Sequence, residues 1–353
     1  MTLSPRLKRI LFFLLPLLIL TAILFLGWLR TAPGLVRLLP DGQAFFYADF
    51  GTLQKLGSLR NHPAADLSPD YAQFVSGTGF NFERDLKELA VSLDGARPGD
   101  PRTTMLARLH YDKRLPDYLR QHSRSVVNYN NCEIFEIPVG NHVERAALLS
   151  SSLLALSNED DPGVLHALID RQKSLLPHWR APNLVANHYT ELPHLSFVWV
   201  IAQMQPPHRA LAGSVLAGSV PAGSAPLAGG FGLRPSAPST LLFSLGFRRQ
   251  IEARAQFLFA SPSEADQYAS QIGSLLGIFH TLQNALPQQG SDSDVRALFG
   301  SLNATEERQS VTLHASIPIG FLQKLLQEET RGAAAPAPSP ANTNAASPAR
   351  PAH

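Results

Sequence analysis

At 353 residues, with 44% hydrophobic and 16% charged side chains, the chain can bury the core of one large domain or two ordinary ones. Its formal charge of +2 is unevenly spread: residues 41–330 hold 23 basic and 28 acidic groups, a net of −5, while both ends are purely basic. An acidic body with no clustered Lys/Arg face excludes nucleic-acid binding, and a lone cysteine, Cys132, excludes an intrachain disulfide or a thiolate metal cluster.

The first element is the uncharged run Ile10–Leu29. A helix of that length matches a hydrocarbon layer roughly 30 Å thick, which predicts one transmembrane helix acting as a signal-anchor. Arg6, Lys8 and Arg9 precede it, against Arg30 and Arg37 after it, so residues 1–9 are expected in the cytoplasm. The expected topology is single-pass and N-in/C-out, with the lipid bilayer as partner. Cleavage after Ala32 would put Arg30 and Pro33 at unsuitable positions, so the anchor is read as uncleaved.

After a Leu39-Pro40-Asp41-Gly42 turn, residues 43–50 read as a buried strand, followed by a short helix over Thr52–Arg60. Phe80–Leu89 places Phe82, Leu86 and Leu89 on one helical face. Ala90–Asp94 and Thr103–Tyr111 read as strands, and Pro116–His122 as a helix. Val126–Tyr129 and Glu133–Val139 form a predicted hairpin over Asn130-Asn131, a pair that tolerates positive φ. Arg145–Ser157 is expected as one long strand, and Asp161-Pro162 as the start of a helix burying Val164, Leu165, Leu168 and Ile169.

Leu192-Pro193 and the strand 196–202 echo Leu39-Pro40 and the strand 43–50. Leu241–Phe247 and Ile251–Phe259 read as a hairpin; Ser261-Pro262-Ser263-Glu264 is a capping box opening a helix to about Leu286. A helix near Asp294–Phe299, strands at Ala304–Glu307 and Val311–Ile317, and a helix Phe321–Gln327 close the body. Residues 205–239, rich in Ala, Gly, Ser and Pro, read as a flexible insertion, and 331–353 as a disordered region. The expected fold class is α+β: mostly antiparallel sheets with packed helices in two related lobes, 39–180 and 181–330, preceded by the transmembrane helix.

The strand ending Ala48-Asp49-Phe50, followed by Thr78-Gly79-Phe80-Asn81-Phe82-Glu83-Arg84-Asp85-Leu86, resembles a bacterial family of membrane-anchored envelope proteins of unknown function. Leu184–Asn187, Tyr189, Leu192-Pro193 and Val198-Trp199 are similar too. The resemblance implies a location at the inner membrane of a bacterial cell envelope, with an N-terminal membrane helix and an extracytoplasmic, periplasmic α+β domain, and it brings no catalytic residues. The insertion at 205–239 departs from it.

No phosphate-cradling loop, zinc-protease helix or nucleophile elbow is present. Gly77-Thr78-Gly79 lacks the third glycine of a dinucleotide loop and reads as a turn. His178, His188 and His194, and the pair His142–Glu144, lack ligand spacing and read as solvated loop residues. Glu83 and Asp85 read as first-turn acids of a helix, Asp49 as a turn residue, Cys132 as a packing residue, and Asn303-Ala304-Thr305 as an unused sequon. No catalytic, cofactor or metal residue is therefore assigned. The expected function is binding or scaffolding, with an unknown envelope protein or an apolar ligand as partner. The alternatives are an envelope hydrolase with a dispersed active site, or a carrier of an apolar ligand.

Overall fold

The computed structural model describes residues 31–55, 69–95, 101–140, 142–174, 180–205, 235–248, 250–285, 293–318 and 320–321. The sheet grows outward from β1 (Ala44–Asp49), whose apolar residues alternate between the two faces. A strand apolar on both sides needs a neighbour along each edge and a layer on each face. Its neighbours are β2 (Leu86–Asp94) and β8 (Ser196–Met204), both antiparallel to it. Beyond β2 lie β3 (Arg102–Leu109), β7 (Leu153–Ser157), β6 (His142–Ser150), β5 (Cys132–Val139) and the edge strand β4 (Ser125–Tyr129). Beyond β8 lie β9 (Ser239–Phe247), β10 (Ile251–Phe259), β12 (Ser310–Ile317) and the other edge, β11 (Asn303–Glu307). The whole is one antiparallel sheet of twelve strands.

Helices cover the two faces unevenly. One face carries α1 (Gly34–Leu38) and, after two short helices α2 (Phe50–Lys55) and α3 (Pro69–Thr78), a further short turn α4 (Phe82–Asp85) and α5 (Arg114–His122), the helices α6 (Gly163–Lys173) and α7 (Asn183–His188). Leu35, Val36, Leu165, Leu168, Ile169, Leu184 and Val185 from α1, α6 and α7 bury themselves against Phe45, Tyr47, Leu106, Ile134, Trp199 and Ile201. We call this the first face. On the second face, Leu115 and Leu119 of α5 pack with Phe135, Ala146 and Leu154, with Phe74 of α3 beside them. At the far end of that face lies α8 (Pro262–Ala285), which packs Ala265, Tyr268 and Ile272 against Leu241, Phe257, Phe259 and Val311. The last helix, α9 (Ser293–Ser301), leads into β11.

The chain enters β1 and β8 in the same way. Ala32-Pro33-Gly34-Leu35-Val36 and Ala181-Pro182-Asn183-Leu184-Val185 each start a short helix from a proline, at φ −50°, ψ 144° and φ −48°, ψ 146°. Leu39 and Leu192 are then buried just before the strand. From each strand a three-stranded meander runs outward, β1–β2–β3 and β8–β9–β10. The equivalent strands lie side by side and antiparallel, the arrangement that a two-fold axis normal to the sheet produces.

Several expectations are corrected. Two separate lobes are not formed, because β1 and β8 pair along their length and make the halves one continuous sheet. Among the described residues no helix is long and apolar enough to cross a membrane. The longest, α8, opens with Glu264 and Asp266 and lays its apolar side on the sheet instead. The run Ile10–Leu29 lies outside the described residues, and the fold therefore gives no support to a transmembrane signal-anchor, an inner-membrane location or a bilayer partner.

The expected helix Phe80–Leu89 ends at Asp85, since Leu86 onward is recruited into β2 between β1 and β3. The expected strand Arg145–Ser157 is two strands, because Ser150-Ser151-Ser152 turns the chain back on itself. The insertion at 205–239 falls between the paired strands β8 and β9, with residues 206–234 outside the described residues. The tail 331–353 and the helix beyond Phe321 also lie outside them.

Candidate functional site

The residues singled out by motif have structural partners. Asp49 accepts from the backbone N–H of Thr52 at 3.0 Å and from its hydroxyl at 2.6 Å, tying β1 to α2. Asp85 accepts from Nε and Nη2 of Arg84, both at 2.7 Å, and from the backbone N–H of Asn81 at 2.8 Å. The Arg84 bonds are the main reason its carboxyl sits below the usual carboxylate range. Asn81 in turn accepts from the backbone N–H of Arg84 at 3.0 Å. The block thus caps itself, and Glu83 lends its carbonyl to Gln54.

Gly77 and Thr78 are the last residues of α3, so the expected turn comes only at Gly79, which ends the helix at φ +67° and where an added Cβ would collide with the Arg114 guanidinium. Cys132 is buried beside Ile134 and Ala147. His142 lies 3.9 Å from Glu144, His188 bonds Glu191 at 3.0 Å, and His194 is exposed. These histidines are not brought together, and His178 lies outside the described residues. Among the described residues no group of three or more His, Cys, Asp or Glu is placed to hold a metal ion.

The strand register assembles two features that no motif marks. Cross-strand partners share a face, with side chains about 5 Å apart. On the second face, one row runs through all twelve strands: Val126, Phe135, Ala146, Leu156, Met105, Val91, Phe46, Val200, Phe243, Ala255, Leu313 and Ala304. Every member is apolar. The row is covered by α5 at one end and approached by α8 at the other. Between those helices Met105, Val91, Phe46, Val200 and Phe243 are only half-buried. Ala44, Leu93 and Ala202 form the buried floor beside them.

The corresponding row on the first face changes character part-way. From β4 it runs Val127, Ile134, Ala147, Ala155, Leu106, Ala90, Tyr47, Trp199, and then Ser244, Arg254, His314 and Asn303. The apolar part lies under α1, α6 and α7, with Tyr47 stacked on Trp199 at 5.5 Å. Burial drives the Tyr47 phenol well above its ordinary value, keeping it neutral. The polar part begins where those helices stop. Neither row shows in the sequence, because its members are scattered from Tyr47 to His314 and only the strand order joins them.

No family model matches the chain, and no curated protein matches its sequence. Two solved structures, crystal forms I and III of TP0453, are similar over 85% of this chain and 98% and 99% of theirs. Each has 9% sequence identity and a TM-score of 0.42.

Proposed function

We propose that this chain is a binding protein for an elongated apolar ligand, such as a long acyl chain. The carrying observation is the half-buried centre of the apolar row, Met105–Val91–Phe46–Val200–Phe243, between α5 and α8. Five neighbouring strands span about 19 Å at about 4.8 Å each, a length suited to an extended aliphatic chain. Sites of this class are concave and mostly apolar, with few polar groups to fix orientation. Side chains from β1 that face the other way, Phe45 and Tyr47, keep the fold intact while Phe46 faces the ligand.

Displacement of a solvatochromic naphthylamine dye by a long-chain alcohol tests the reading. The wild-type protein should release the dye saturably. Phe46→Ser and Val200→Thr should each weaken the alcohol at least ~5-fold, since burying one aliphatic or aromatic group contributes about 1–3 kcal/mol. No saturable displacement, or unchanged affinity in both variants with the fold retained, would refute it.

A further inference from the structure

The polar end of the first-face row lies on the opposite side of the sheet from the apolar strip and is independent of it. Ser244, Arg254 and His314 are direct partners across β9, β10 and β12, and Gln256 and Thr312 are partners in the next row. Of the helices packed on this wing, α8 covers the other face, and α9 packs on β12, with Ser301 bonded to the Ser316 backbone. Ser244 is 2% and Thr312 6% exposed, Arg254 is half-buried and His314 is open to solvent.

Arg254 donates from Nη2 to Oε1 of Gln256 at 2.9 Å, but its Nε is cut off from water with no partner. A buried donor left unpaired costs about 1–3 kcal/mol. Among the described residues no carboxylate forms an ion pair with Arg254; Glu252 lies one row further on, opposite Gly246 and Ser316, and is exposed. Each surrounding group can donate: the guanidinium, the Gln256 amide NH2, the hydroxyls of Ser244 and Thr312, and the imidazole of His314. Partial burial, and then the Arg254 charge, hold that imidazole below its ordinary value, with Glu252 pulling the other way. The charged form of the ring is thus disfavoured beside a guanidinium that has no carboxylate ion pair among the described residues.

We propose that Arg254, with His314, Gln256, Ser244 and Thr312, forms a binding site for an oxyanion, a phosphate or carboxylate group, that accepts from the Arg254 guanidinium. A planar fork meeting two oxygens is the strongest neutral-pH arrangement for such a group. Bound there, the anion offsets the positive field on His314. Its negative charge raises the imidazole's proton affinity, so binding tightens as pH falls through the His314 titration.

The test uses the full chain at fixed ionic strength, titrated separately with inorganic phosphate and with acetate against a chloride control. Readouts are the melting temperature and the NMR titration of the His314 ring. Saturable stabilisation by phosphate alone identifies a phosphate-bearing ligand, and by acetate alone a carboxylate. In either case the His314 midpoint should rise, and Arg254→Gln should weaken binding at least ~10-fold, the loss of one charge-assisted contact. If Arg254→Gln does not fold, His314→Ala, at an exposed position, should still weaken it several-fold. No response beyond chloride to either anion, or full retention of binding in the folded variants, would overturn the site. The alcohol displacement assay is unaffected by these substitutions, so failure here and failure of the apolar reading are separable.

Discussion

Among the described residues Asp85 is the one buried acid, and it holds three donors from Arg84 and Asn81. Its partner Arg84 is largely exposed, so the Coulomb part of the pair is screened and the hydrogen bonds matter more. Asp85→Asn keeps the shape and should cost about 1–2 kcal/mol at neutral pH, as expected for weakened charge-assisted bonds. The sign of its pH dependence follows from a folded pKa held below the unfolded one. The stabilisation is complete above the ordinary carboxylate range and disappears as pH falls through the lowered folded value. Urea unfolding across that range should therefore show the gap between wild type and Asp85→Asn closing toward acid. A gap that stays constant with pH would show that ionisation of Asp85 contributes nothing.

The two edge strands are protected unequally. β11 ends in Glu306 and Glu307 and is exposed throughout, which discourages a second sheet from pairing with it. β4 reads Ser-Val-Val-Asn-Tyr, holds no charge, and exposes Val126 at 41% and Val127 at 45% on its two faces. It is anchored at its turn, where Tyr129 stacks on His166 at 3.9 Å and donates to Asp170 at 2.9 Å. Its outer rim has no such cover. Val127→Lys should change stability by no more than about 0.5 kcal/mol, as at other surface positions. It should also slow concentration-dependent association, followed by sedimentation or light scattering. Unchanged association in a folded Val127→Lys protein would mean that contacts form elsewhere.

At the scale of the molecule, the β1–β8 pairing decides how stability is shared. Trp199 is buried and touches Tyr47 at 5.5 Å and Tyr189 at 5.6 Å, so it joins strands from both halves under one set of helices. Trp199→Ala should cost about 3–5 kcal/mol, the usual range for a large core aromatic. Hydrogen exchange should show the loss in β5 and β10 alike, within one unfolding transition. Two resolved transitions, with only the second half weakened, would mean that the halves fold separately despite the shared sheet.

Short-range chemistry was readable from the residues alone. Ser261 and Glu264 exchange the two bonds of a capping box, at 3.2 and 3.4 Å, and Asn130 and Asn131 take φ of 47° and 56° at the predicted turn. Such features depend on a few neighbours, so local sequence determines them. Where local preference met strand pairing, pairing prevailed: Leu86–Leu89 keeps helical spacing yet forms β2, because β1 and β3 satisfy its backbone from both sides. The two proposed binding surfaces were beyond sequence reading for the same reason. Phe45 and Phe46 are adjacent and identical, but one is core and the other faces the apolar strip. Arg254 looks like any strand arginine until β9 and β12 place Ser244 and His314 beside it. Register over long separations is a property of the assembled sheet, set by which hydrophobic faces bury together, and only the tertiary structure decides it.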